Sequence, residues 1–195
     1  LGTQDTDYVI ASDTDSIYLN LGDLVGRVSP DGVLPNERVV EILNKFCQDK
    51  IEPFIDESYG ELSDYLQCYE KTLVMKRECI AEKGIWTAKK RYILNVWDNE
   101  GVRYKEPKLK MMGIEAVKSS TPAPCRTYIK ECLNLIMTGT EQDVINYIES
   151  RKQEHAEMEP PLVSFPRTAN NISKFKDHNT IYKKSTPIHV RGCLM

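Results

Sequence analysis

The sequence offers few of the residues from which metal and disulfide frameworks are built. Six cysteines, at 47, 68, 79, 125, 132 and 193, form no C-x-x-C pair, and only three histidines accompany them. Zinc ribbons and fingers need paired ligands at short spacing, so that class is excluded. Cys125 and Cys132 are seven apart and can share a helix face without being bonded. There is no apolar run of about 18 residues to span a membrane, and no signal-peptide pattern. Scattered thiols without either feature predict a reducing, cytoplasmic setting. No internal repeat is visible. The chain also opens on Leu1 rather than Met, which gives the expectation of a piece cut from a longer polypeptide.

What is present reads as globular. The 195 residues are 41% hydrophobic and 28% charged, a length that suits one large domain or two small ones. The net charge of -3 hides a division. Residues 1–70 hold 15 acidic and four basic side chains, whereas residues 71–195 hold 14 acidic and 22 basic. Such a split suits cation binding in the first part and polyanion binding in the second.

Two short β-prone runs, 8–11 and 16–19, flank Asp13-Thr14-Asp15 and predict a hairpin over 8–19 with the acids at its tip. Gly22, Gly26, Pro30, Gly32 and Pro35 predict a loop over 22–35. Asn36 reads as the N-cap of a helix carrying Val39, Val40, Leu43, Phe46 and Cys47. Pro53 is placed to start a second helical stretch. Strands follow over 72–80 and 85–97 around a Glu82-Lys83-Gly84 turn, and a turn at 98–101 leads into Val102–Tyr104. Beyond Pro122 and Pro124 the pattern is helical to about Met137, and again from Glu141 to about Glu157. The expected class is α+β: an antiparallel sheet with two helical stretches packed on it over 1–120, followed by a mainly helical part over 121–195.

Asp13 and Asp15 lie two apart on an extended segment, so their carboxylates can point the same way. Carboxylate oxygens suit hard ions such as Mg²⁺, and a pair of such ions can hold both oxygens of a phosphoryl transfer. Acid pairs are nonetheless common in surface turns. What singles this one out is its place between two apolar strands, where a solvated turn would favour Gly, Asn or Pro. A second constellation is Lys89-Lys90-Arg91-Tyr92, inside an apolar run flanked by Trp86 and Trp97. Lys and Arg hold phosphate by charge, and long side chains also reach the minor-groove acceptors common to every base pair.

The segment ASDTDS resembles the third polymerase motif of family B DNA polymerases, usually Y-G-D-T-D-S, and AKKRY resembles their K-K-R-Y signature. Met112-Gly113-Ile114-Glu115, Ser119-Ser120-Thr121-Pro122 and His189-Val190-Arg191-Gly192 extend the likeness, in order, to the large tailed-phage replicative type. The resemblance implies a palm over 1–120 and a partial thumb over 121–195. It implies template-directed nucleotidyl transfer from a dNTP to a primer 3′-hydroxyl, with two Mg²⁺ ions. Asp15 would bind both ions, Asp13 would be its companion, and Thr14 and Ser16 would shape the turn. Glu78 matches an acid near the metals. Lys89 and Lys90 match the pair that hold the primer end, with Arg91 and Tyr92 supporting their strand, 85–97.

The usual Tyr-Gly before the first Asp is Ala11-Ser12 here, which removes an aromatic neighbour and some backbone freedom. The family's other metal-binding motif and its nucleotide-binding helix normally precede the hairpin and are not in these residues. The implied partners are therefore primer–template DNA, dNTP and an upstream polymerase part, with no membrane, and the chain alone is expected to be inactive. Two other readings exist. One is a non-catalytic DNA-binding half of a split polymerase. The other is a D-x-D glycosyltransferase, which would need a Rossmann-like βα unit and a Gly-rich loop before the acids.

Overall fold

The computed structural model describes residues 6–195; the first five residues of the expected first domain lie outside them. The chain divides into two compact units, one ending at Gly113 and the other spanning Ile114–Met195. The class is α+β, and the named strands pair antiparallel throughout.

The first unit opens with β1 (Val9–Asp13) and β2 (Ser16–Leu19), which pair through Asp13 opposite Ser16. The stretch expected as a loop over 22–35 instead contains α1 (Gly22–Val28) and a 3₁₀ turn at Pro30–Gly32. Its glycines and prolines yield to an apolar stripe. Leu21, Leu24 and Val25, at helical spacing, pack against a core of Val40, Leu43 and Ile80.

The two expected helical stretches run on without a break. α2 (Asn36–Phe46) passes through a π turn at Cys47–Ile51 into α3 (Glu52–Tyr65). Pro53 falls in the first turn of α3, and the wider π turn just before it accommodates its missing N–H. Asn36 makes no side-chain cap and lies just inside α2. Val40, Leu43, Cys47 and Ile51 are buried along one face.

The second sheet has the order β3–β4–β5: β3 (Cys79–Ala88), β4 (Arg91–Asn99) and β5 (Val102–Met112). This corrects three expectations, the first being the strand over 72–80, of which only 79 and 80 are in a strand. There is no turn at 82–84, and 85–97 is not one strand. β3 runs through Gly84, and the chain reverses at Lys89–Lys90. Gly84 is needed for packing rather than turning: a β-carbon there would lie 2.7 Å from the Trp86 ring and 2.8 Å from Leu94. β4 is the central strand, and Ile93, Leu94, Asn95 and Val96 are all buried in succession.

The second unit is mainly helical. A 3₁₀ turn at Glu115–Val117 precedes α4 (Ala123–Thr138) and α5 (Glu141–Glu157), and α6 (Pro160–Val163) and α7 (Ile188–Leu194) are short. Thr140 and Asp143 form a reciprocal capping box that starts α5. All six cysteines, Cys125 and Cys132 among them, are free thiols. Among the described residues no helix is long and apolar enough to cross a membrane.

Candidate functional site

The acidic tip is a tight reversal. Asp13 pairs with Ser16 across Thr14 and Asp15, and the amide of Asp15 donates to the Asp13 carbonyl at 2.7 Å. The Ser16 hydroxyl donates to the same carbonyl at 3.1 Å. Thr14 adopts a φ of +53°, a left-handed conformation that is rare for a β-branched residue. Strain of this kind concentrates where geometry serves function.

The two carboxylates are placed differently. Asp13 is half-buried; its Oδ1 accepts from the Thr14 hydroxyl at 3.2 Å and lies 3.6 Å from Lys90 Nζ. Asp15 is exposed, and among the described residues no hydrogen bond or ion pair reaches its carboxylate.

The cationic tip is the turn at Lys89–Lys90, where Ala88 pairs with Arg91 and Lys90 has a φ of +59°. Thus the two lysines are not spread over both faces of a strand but stand together at a hairpin end. Lys89 is exposed and its ammonium has no partner among the described residues.

An aromatic cluster lies between the two hairpins. Tyr18 on β2 sits 5.3 Å from Trp86 on β3, edge to face, and 5.4 Å from Tyr92 on β4. Offset and edge-on contacts of this kind are favourable beyond their buried area. Burial pushes the Tyr92 hydroxyl far above its ordinary pKa, helped by its hydrogen bond with Tyr18 and the negative charge of Glu78. Tyr92 therefore stays neutral and packs.

Glu78 lies just before β3 and is bound by the Lys110 ammonium. Burial, the largest single influence, works against the charge on Lys110, but the hydrogen bond to Glu78 and the negative charge of Glu78, Cys79 and Tyr18 together outweigh it and raise the ammonium's pKa. Among the described residues no three His, Cys, Asp or Glu side chains gather in a way that could hold a metal ion. Glu78 thus does not complete a set with Asp13 and Asp15 here. The hairpin carboxylates fit the hard-ion chemistry expected of them, since Mg²⁺ is commonly held by one or two carboxylates with water and phosphate supplying the rest.

Behind the cationic hairpin lies a network that sequence reading missed. Asp98 is 1% exposed and is bound by Arg77, with Arg103 Nε 3.6 Å from its other oxygen. Arg77 also donates to Asn44 on α2, at 2.7 and 3.1 Å, and its amide donates to Glu52 on α3 at 3.0 Å. The far end of β4 is thereby clamped to the long helix. No pattern in the sequence marks this pairing, because Arg77 lies 21 to 33 positions from its side-chain partners.

Sequence comparison finds this α+β chain similar, along nearly its whole length, to phage DNA-directed DNA polymerases. The chain is 37% identical over 201 aligned residues to the DNA-directed DNA polymerase of Enterobacteria phage T4, and 36% identical to that of Escherichia phage RB69. Each alignment takes in 99% of this chain and 22% of the relative, so the chain spans about a fifth of the length of the curated relatives it matches. No protein-family profile matches.

Proposed function

We propose that the chain is the C-terminal palm (1–120) and partial thumb (121–195) of a family B DNA-directed DNA polymerase, extending a primer 3′-hydroxyl with dNTPs. The observation that supports this best is the meeting of two opposite charges: Lys90 on the cationic tip lies 3.6 Å from Asp13 on the acidic tip. Phosphoryl transfer asks for little covalent help and much charge neutralisation, so the pairing suits it. Bound Mg²⁺ would neutralise phosphate oxygens and hold attacking and leaving groups in line. Asp15, with an open carboxylate, is the metal ligand of this reading. Asp13, engaged by Lys90, is its companion, and Glu78 supports from the Lys110 side. Lys89 and Lys90 grip the primer–template backbone, Arg91 and Tyr92 hold their turn, and Thr14 and Ser16 shape the acidic one. The antiparallel pairing of β1 with β2 gives no support to a nucleotide-sugar site on a βα unit.

The test is primer extension with Mg²⁺ and dNTPs, with this chain alone and then with the upstream polymerase part added. Two-metal transfer needs carboxylates converging from more than one segment, so the chain alone is expected to be silent and the mixture active. Extension by the rigorously purified chain alone, or none on mixing folded parts, would count against the reading.

A further inference from the structure

The last residue of the first unit, Gly113, is pressed against the cationic turn. It follows directly on β5, one position beyond the Tyr92–Met112 pair that ends the β4–β5 register. Its φ is +66°, and a β-carbon built on it would lie 2.3 Å from the carbonyl oxygen of Lys90 and 3.1 Å from Cγ of Arg91. A β-carbon essentially never comes within 3.0 Å of a non-bonded heavy atom, so the first approach is a clash. The Arg91 Cγ would have to give by only a few tenths of an ångström. The Lys90 carbonyl is backbone, and it moves only if the turn moves.

Gly32 provides an internal reference. It has the same φ of +66°, yet nothing lies within 4 Å of the β-carbon it would carry. A left-handed φ alone is therefore a cost both positions share on substitution. The close approach to Lys90 is what separates them.

We infer that Gly113 is a positioning residue for the Lys89–Lys90 turn: lacking a side chain, it lets the end of β5 back the turn and fix where its two ammonium groups stand. The inference rests on the proposed role of Lys89 and Lys90 in gripping DNA. Glycine is required at 113 because any β-carbon would displace the Lys90 carbonyl, and with it the cationic tip.

The experiment uses the complete polymerase containing this segment, with Gly113→Ala, Gly32→Ala, Lys89→Ala/Lys90→Ala, and the last combined with Gly113→Ala. Primer–template binding across a salt series, single-turnover extension, and amide hydrogen exchange over 88–92 are measured. Gly113→Ala is expected to speed exchange over 88–92. It should flatten the salt slope by roughly 0.9 for each phosphate that the lysines no longer neutralise. It should also slow extension by about tenfold to a hundredfold, the range expected of an ångström-scale misplacement. On the Lys89→Ala/Lys90→Ala background it should add less than about twofold to either effect, because the side chains it positions are gone. Gly32→Ala should leave all three readouts close to the parent.

Equal effects of Gly113→Ala on salt slope and extension in both backgrounds, or unchanged exchange over 88–92, would overturn the positioning role. If Lys89→Ala/Lys90→Ala leaves DNA binding intact, the grip reading fails instead, and the exchange data alone decide whether Gly113 holds the turn. Should Gly113→Ala not fold, Gly113→Asn replaces it: asparagine tolerates a left-handed φ but keeps the clashing β-carbon.

Discussion

The two units hold themselves together by different means. In the first, two hairpin tips are carried by a sheet whose central strand is buried along Ile93–Val96 and whose far end is clamped by the buried Arg77–Asp98 pair. In the second, Ile114, Ala116, Pro122, Met137 and Val190 are the buried apolar side chains. There, α4 and α5 meet through partly exposed polar contacts: Tyr147 donates to Glu131, and the Arg151 guanidinium lies 5.1 Å from the Tyr147 ring and 5.5 Å from that of Tyr128. Buried ion pairs and packed aliphatics fix positions and are insensitive to solvent. Exposed polar links tune with salt and pH. The first unit is held by burial, and the second by contacts that solution conditions can adjust.

The strongest way to break that contrast is to cut the clamp. Asp98→Ala leaves Arg77, whose side chain is 11% exposed, without its carboxylate. Removing one partner of a buried pair costs about 3–5 kcal/mol. The urea midpoint of the first unit's transition should fall accordingly. Replacing both partners, as Arg77→Met with Asp98→Leu, should recover most of that stability. A single variant within about 0.5 kcal/mol of the parent would show that the clamp is not what steadies the sheet.

A second comparison lies within the acidic tip. In the complete polymerase, Asp15→Asn should lower single-turnover extension by about 10²–10³-fold, the usual effect of removing one preorganised electrostatic group. Asp13→Asn should cost far less, because Asp13 already shares its charge with Lys90. Equal reductions would remove the distinction between the open and the engaged carboxylate.

Much of this architecture was legible in advance. The acidic hairpin, the helix over 141–157 and the α+β class follow from alternation, helical spacing and turn residues, which are local signals. The errors share a cause: a local signal was overridden by a partner remote in sequence. Gly84 reads as a turn residue, but Trp86 occupies the place of its missing side chain and β3 runs on through it. The glycines of 22–28 read as loop, but Leu21, Leu24 and Val25 find a core on α2. Lys89 and Lys90 read as strand because the residues around them are β-prone. Their role as a tip depends on Gly113, 23 positions after Lys90, whose backing no spacing rule reveals.

A smaller effect probes how the acidic hairpin is attached. Val9, Ile10 and Ile17 are 40–50% exposed, so β1 and β2 gain little from burial of their own and lean on Tyr18. Tyr18→Leu keeps an apolar side chain but removes two ring pairs, each worth about 0.5–1.5 kcal/mol. Hydrogen exchange over 9–19 should quicken while that of β4 stays slow. Parallel acceleration of both would mean that the hairpin and the sheet open as one.

The smallest expected effect belongs to the second unit, and its sign follows from Tyr147. Burial, then the hydrogen bond to Glu131, pushes the Tyr147 hydroxyl up to about 12. An unfolded tyrosine titrates near 10, so the folded state holds this proton more tightly. The stabilisation is complete below about pH 10 and fades as pH rises towards 12, because the unfolded chain then releases its proton first. Tyr147→Phe removes both the hydrogen bond, worth about 1 kcal/mol, and the titration. Tyr92 in the first unit is raised as well, so the parent's alkaline curve contains both residues. The quantity to measure is therefore the difference in stability between parent and Tyr147→Phe, followed by helical ellipticity in urea from about pH 8 to 12. It should start near 1 kcal/mol and shrink above about pH 10. A difference that stays constant to about pH 12 would mean that the α4–α5 contact does not depend on the Tyr147 proton, and that the second unit is held by packing in the manner of the first.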